Sequence, residues 1–135
     1  LIYLLDTNAC IVYLNRPKSG VRQRLTMLSP QDVAVCSVVK GELLYGAMRS
    51  NNPVRTLALQ EAFLNNFISL PFDDAAATIF GTIRAELAAN GTPIGPYDLQ
   101  IAAIAIANNL ILVTHNVREF SRVNGLQIED WEQES

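Results

Sequence analysis

The stretch GTPIGPYDLQIAAIAIANN, residues 91–109, constrains the fold more than any other part of the chain. It reads as a turn followed by a helix with Pro96 near its first position, where the missing N–H of proline costs nothing. That helix is apolar on every side, so it must be buried. LILVT follows at once as a strand, and the same alternation runs back through the sequence. Leu1 to Leu5 (LIYLL) read as a fully buried strand ending at Asp6, and residues 8–15 form a short helix that stops before Pro17. GVRQRLTML makes a second helix stopped near Pro30, and Asp32 leads into VAVC, a β-branched strand. Ser37 is placed to cap the helix VVKGELLYGAMRS, and Asn52-Pro53 restarts a helix through PVRTLALQEAFLNNF, which completes a helical hairpin. FISLPF supplies a third strand. Asp73 or Asp74 then caps a long helix ending at Gly91, and GLQIEDW adds an edge strand near the end.

Strands separated by helices of this length predict an α/β sandwich in three layers, with a mainly parallel central sheet of four to five strands flanked by helices. At 135 residues the chain fits one domain, residues 1–135, with a sizeable core. Half the residues are apolar and 17% are charged, which excludes a disordered or solvating role. The longest uninterrupted apolar run, Ile101 to Ala107, is far short of the ~20 residues that span a bilayer, so no membrane association is expected. Cys10 and Cys36 lack the close spacing of metal or redox pairs, which favours reduced thiols and a cytoplasmic protein. The net charge of −3 hides an asymmetry: residues 1–70 carry seven Lys/Arg against four acids, and residues 71–135 carry three against nine. A basic face on the first half is compatible with that pattern, as are ordinary solvated helix charges.

Chemistry is expected at the carboxyl ends of the parallel strands. Asp6 leaves the first strand there, with Thr7 and Asn8 behind it; it suits a helix N-cap and a ligand equally. Glu42 lies in KGELLYGA, and taken by itself it reads as an ordinary exposed helix acid. Asp98 marks the one polar end of the buried helix, a position the helix dipole favours for a carboxylate. Thr114, His115 and Asn116 leave the LILVT strand, with Glu119 one turn further on. His115 has no second His or Cys at metal spacing and reads as structural. In a parallel sheet Asp6 and the 114–116 segment emerge at the same edge, where helices can bring Glu42 and Asp98 beside them. Carboxylates crowded so closely repel, and a divalent cation relieves the repulsion. Oxygen ligands without His or Cys select hard ions, Mg²⁺ or Mn²⁺.

LLDTNACI at the start, GELLYGA, GTPIGPYDLQIAA, LVTHNVREF and VNGLQIEDW, in this order and over nearly the whole chain, resemble the PIN-domain ribonucleases, and within them the VapC-type toxins of bacterial toxin–antitoxin modules. The resemblance implies a PIN fold and a Mg²⁺-dependent endoribonuclease site, with Mn²⁺ able to substitute. Asp6, Glu42 and Asp98 match the family's acidic positions and would hold the metal. Thr114 and Asn116 fall on its strand-end motif as supporting residues. Many PIN domains carry a fourth acid where this chain has Asn116, so Glu119 is the candidate for that role. Asn8 matches the family's Asp-x-Asn and would orient Asp6 or a metal-bound water. The implied substrate is RNA, with transfer RNA favoured, cut to 5′-phosphate and 3′-hydroxyl ends. Lys18, Arg22, Arg24, Lys40 and Arg49 are the candidate RNA contacts. A cognate antitoxin and a homodimer are also implied, and the hairpin of residues 38–67 offers apolar surface for a partner helix.

Three rivals share some of these features. A haloacid-dehalogenase-type phosphatase needs a second Asp where Asn8 stands. A receiver-like signalling domain needs an acidic pair after the first strand and a Lys after the last, and LILVTHN supplies none. A PIN-like scaffold that binds RNA or protein without cleaving is disfavoured by the presence of Asp6, Glu42 and Asp98 together, and RNA cleavage assayed with Mg²⁺, with EDTA and with Asp6→Asn or Asp98→Asn distinguishes it from the enzyme.

Overall fold

The computed structural model describes residues 1–132. Five strands, β1 (Tyr3–Leu5), β2 (Val33–Cys36), β3 (Ile68–Leu70), β4 (Ile111–Val113) and β5 (Ile128–Glu129), form one sheet in the order β3-β2-β1-β4-β5. Every neighbouring pair is parallel, with Leu4 opposite both Ala34 and Leu112. The helices are α1 (Thr7–Asn15), α2 (Gly20–Thr26), α3 (Ser37–Met48), α4 (Pro53–Leu64), α5 (Asp74–Ala89), α6 (Pro96–Ala107) and the one-turn α7 (Val117–Phe120).

Parallel pairing requires crossovers, and right-handed crossovers to opposite sides of β1 put helices on both faces of the sheet. This is the expected α/β arrangement. Burial follows: all four residues of β2 are buried, as are Leu4 and Leu5 of β1 and Leu112 and Val113 of β4. The apolar helix foreseen from its composition is α6, where Leu99 and Ile101 to Ala105 are all buried and α5 packs along it. The order of the strands reverses at β1, with β2 on one side and β4 on the other, and open parallel sheets form a crevice at such a point. Asp6 and Thr114 sit on its two rims.

Several boundaries depart from the sequence reading. Leu1 and Ile2 are exposed and precede β1, because the pairing partners on β2 and β4 begin only opposite Tyr3. Ser37 does not cap α3: β2 runs straight into the helix, so the N-cap position falls on Cys36, in extended backbone and without a side-chain cap, and Ser37 is the first helical residue. Helix α4 stops at Leu64 rather than Phe67, and the Asn66 amide donates to the Ala62 and Phe63 carbonyls left free at its end. Asp73 is the cap of α5, accepting from Ala76 N–H at 3.0 Å, and Gly91 beyond the helix end adopts φ +69°. Gly20 has a different reason to be glycine: a Cβ there would lie 2.1 Å from the Trp131 carbonyl oxygen, so the C-terminal strap passes directly over α2's first turn. Cys10 and Cys36 are both free and buried, and burial pushes the Cys36 thiol up to about 11.

Candidate active site

Asp6 is the first polar residue after β1, and only 6% of its surface is exposed. Its Oδ1 accepts the Ala9 N–H at 2.8 Å, so it caps α1. Burial raises its pKa from 3.8 to about 6. Hydrogen bonds from Thr114 and from Ala9 N–H hold it down, and the charges of Asp98 and Glu132 push it up. Thr114 is itself fully buried at the end of β4, and its hydroxyl accepts the Asn116 N–H at 3.0 Å.

Asp98 stands in the first turn of α6, half-buried. Its pKa is raised by burial, then by the charge of Glu42, then by that of Glu119. Through these charges Asp98 on α6 is linked to Asp6 at the end of β1, to Glu42 on α3 and to Glu119 on α7. Glu42 is half-buried, and the Thr7 hydroxyl donates to its Oε1 at 2.7 Å across 35 positions of sequence. Thr7 was not among the residues singled out from sequence. A threonine in a helix's first turn carries no signal of a long-range partner.

Asn8 is exposed, and among the described residues no side-chain hydrogen bond joins it to Asp6. Asn116 is also exposed, at the N-cap position of α7 without a side-chain cap. His115 has partners after all, and they are acids: its Nδ1 lies 3.0 Å from Asp130 Oδ2 and 3.9 Å from Glu132 Oε2. The Asp130 hydrogen bond, followed by the Glu132 charge, raises the imidazole's pKa. The ligand-type atoms of His115, Asp130 and Glu132 all fall within 4.8 Å of one another, beside the carboxylate cup and next to β5.

The basic residues divide into two kinds. Arg22 donates through both Nε, at 3.0 Å, and a terminal nitrogen to the Tyr13 carbonyl, and its guanidinium lies 4.4 Å from the Tyr13 ring centre. Arg24 bonds Glu129 Oε1 at 3.2 Å and covers the Trp131 ring. Arg49 reaches the Tyr45 hydroxyl at 3.3 Å. Lys18 and Lys40 form no ion pair among the described residues, and Lys18 joins Arg16 and Ser19 around a 590 Å³ groove that ends at Glu132.

Against known proteins, the PIN domain profile matches residues 3–126. The chain belongs to the PIN-domain family. Over 131 residues it is 47% identical to the tRNA(fMet)-specific endonuclease VapC of Shigella flexneri and 44% identical to the protein of the same name from Salmonella typhimurium, covering 97% of this chain and 98% of each relative. Among solved structures, the DNA-bound VapBC of Salmonella typhimurium superposes with a TM-score of 0.92 at 43% identity, over 97% of this chain and 98% of the other. The five-stranded parallel sheet flanked by helices is the fold that the motif order led one to expect, and Asp6 directly follows its first strand. No helix among the described residues is long and apolar enough to cross a membrane.

Proposed function

We propose that this PIN domain, taken as one unit over residues 1–135, is a metal-dependent endoribonuclease that hydrolyses RNA phosphodiester bonds and acts as the toxin of a toxin–antitoxin pair, with transfer RNA as its substrate. The observation that carries the reading is the chain of fields linking Asp6 to Asp98 and Asp98 to Glu42 and Glu119. Burial of Asp6 and Asp98, with the charge of Asp98 on the first and of Glu42 and Glu119 on the second, makes a site that costs free energy to ionise when bare. A hard dication removes that cost.

The donor set fits such an ion. It offers carboxylate oxygens without thiolate or imidazole, which suits Mg²⁺, or Mn²⁺ in its place. Asp6, Asp98 and Glu42 would hold it, with Glu119 in the fourth acidic role; when bound, the ion supplies polarisation of a phosphate oxygen and a water of lowered pKa. The residues of the chain do the rest. Thr114 and the Ala9 N–H fix the Asp6 carboxylate, and Thr7 fixes Glu42, so ligand orientation is set before substrate arrives. The acids act as ion holders, and no side chain need serve as nucleophile. Asn8 and Asn116, both exposed, would orient water on the ion.

RNA is negatively charged, as is this chain, so backbone contacts fall to local cations. Lys18 and Lys40, which form no ion pair among the described residues, are the candidates, whereas Arg22, Arg24 and Arg49 are engaged within the protein. The antitoxin reading is supported by a groove lined by Ile11, Leu14, Leu43, Thr56 and Leu59, with Glu42 in its wall. Leu44, Met48, Val54 and Leu59 on the α3–α4 hairpin are exposed, which leaves apolar surface for an antitoxin helix and for a second copy in a homodimer. Relatives of this fold were solved as VapBC complexes.

Purified protein should cleave transfer RNA with Mg²⁺ and leave it intact in EDTA, and Asp98→Asn should lower the rate by about 10³-fold, as loss of a group that positions transition-state charge does. Cleavage that persists in EDTA refutes the mechanism. RNA binding with no cleavage under any ion favours the scaffold reading.

A further inference from the structure

We infer that the cleft between α3 and α6 beside the carboxylates is a nucleobase subsite, in which Tyr45 and Tyr97 stack on an unpaired base flanking the scissile phosphate and Gln100 reads its edge; this rests on the ribonuclease reading above. The cleft, about 690 Å³, is lined by Val38, Gly41, Glu42, Tyr45, Tyr97 and Gln100. Glu42 belongs to its wall, so the cleft opens directly onto the proposed ion site. Tyr97 immediately precedes Asp98, and Tyr45 follows Glu42 by three positions, which is one helical turn. Both rings are unusually open for tyrosine, at 63% and 59% exposure.

The lining discriminates among occupants by charge. Its one charged residue, Glu42, is assigned to the ion, and it contains no Lys or Arg, so it offers nothing to hold a phosphate and does not track the RNA backbone. A neutral planar group next to a phosphate held at the ion can enter. Unpaired bases are recognised in this way, by stacking on aromatic side chains with amide hydrogen bonds to their edges. Gln100 offers both a donor and an acceptor for such an edge. Arg49 holds Tyr45 in place, with its guanidinium 5.4 Å from the ring centre and a 3.3 Å hydrogen bond to the hydroxyl, so the ring meets its ligand with little rotamer freedom left to lose. Substrates are then selected for an unpaired nucleotide at the cut, as in a hairpin loop, over continuous duplex.

The test measures binding of a 5′-labelled RNA stem-loop by fluorescence anisotropy, with Ca²⁺ as the ion and the RNA's integrity checked on a gel. Wild type, Tyr45→Ala, Tyr97→Ala and the two Tyr→Phe variants are compared on the intact loop and on loops made abasic one nucleotide at a time. Each Ala variant should raise Kd about tenfold on intact RNA, Tyr97→Phe should keep near wild-type affinity, Tyr45→Phe, which loses the Arg49 hydrogen bond, should fall between wild type and Tyr45→Ala, and one abasic position should weaken wild type to the same degree as an Ala variant while making the Ala variants no worse. Equal Kd for wild type and the Ala variants overturns the proposal, as does a loss that persists undiminished at every abasic position. A change in molecular mass by light scattering in the Ala variants also overturns it, since the cleft is then a protein–protein face. Wild-type cleavage in Mg²⁺ without these ring effects overturns the base subsite alone, whereas absence of wild-type cleavage overturns the ribonuclease reading and leaves the binding comparison to decide the subsite.

Discussion

Replacing Asp6 by Asn should stabilise the metal-free protein at neutral pH while destroying its activity. Burial lifts the Asp6 pKa from 3.8 to about 6, a difference of roughly two units, which at 1.36 kcal/mol per unit is about 3 kcal/mol. Because the folded-state value lies above the unfolded one, the fold favours the protonated acid. That stabilisation is fully present below pH ~4, is lost as pH rises from there through about 6, and is absent above it. At pH 8 the wild-type fold therefore carries the whole cost of a buried charge. The amide of the Asp6→Asn variant carries no charge and keeps an oxygen for the Ala9 N–H. Urea titrations followed by circular dichroism in EDTA should show Asp6→Asn more stable than wild type by about 2–3 kcal/mol at pH 8 and nearly equal to it at pH 4. In melting temperature the gap at pH 8 is about 8 °C for a chain of this size. Saturating Mg²⁺ should raise wild type and narrow the gap, since the ion binds the folded carboxylates only. A variant no more stable than wild type at pH 8, or a gap of the same size at pH 4, refutes the claim that Asp6 is a desolvated acid waiting for a cation.

Thr7→Val keeps the shape of the side chain and removes the hydroxyl that holds Glu42; kcat/KM for RNA cleavage should fall about tenfold with less than about 1 kcal/mol change in stability, and Thr7→Ser should restore most of it. Gly20→Ala forces a methyl against the Trp131 carbonyl, a backbone atom that cannot rotate away; a loss of about 1–3 kcal/mol in urea unfolding is expected, and a neutral result would mean the C-terminal strap does not lie there in solution.

The sheet was legible because burial patterns it so strongly. A helix apolar all round, a β-branched run and prolines at helix starts each have one physical explanation, and α6, β2 and α4 follow from them. Asp6 and the Thr114–Asn116 segment could be put at one edge once parallel strands were inferred, since topology alone puts strand ends there, whereas the approach of Glu42, Asp98 and Glu119 depends on how α3, α6 and α7 pack. What stayed hidden were partnerships that depend on side-chain direction. Thr7 looks like any first-turn threonine until α3 is packed against α1. His115 reads as solitary when the eye searches for His and Cys, yet Asp130 stands 15 positions away at the end of the neighbouring strand. Arg22 and Arg24 look like free cations in a basic half-chain, and only the packed structure turns one onto the Tyr13 carbonyl and the other onto Glu129. The Ser37 cap failed for a related reason: nothing local to SVVK says that the strand before it ends without a turn.

Crystals soaked in Mn²⁺ and measured at its absorption edge test the central claim most directly. An anomalous peak is expected between the carboxylates of Asp6 and Asp98, at about 2.0–2.3 Å metal–oxygen distance, with Glu42 or Glu119 completing the shell directly or through water. A peak held instead by His115, Asp130 and Glu132, or no peak near Asp6 at saturating ion, would contradict the account.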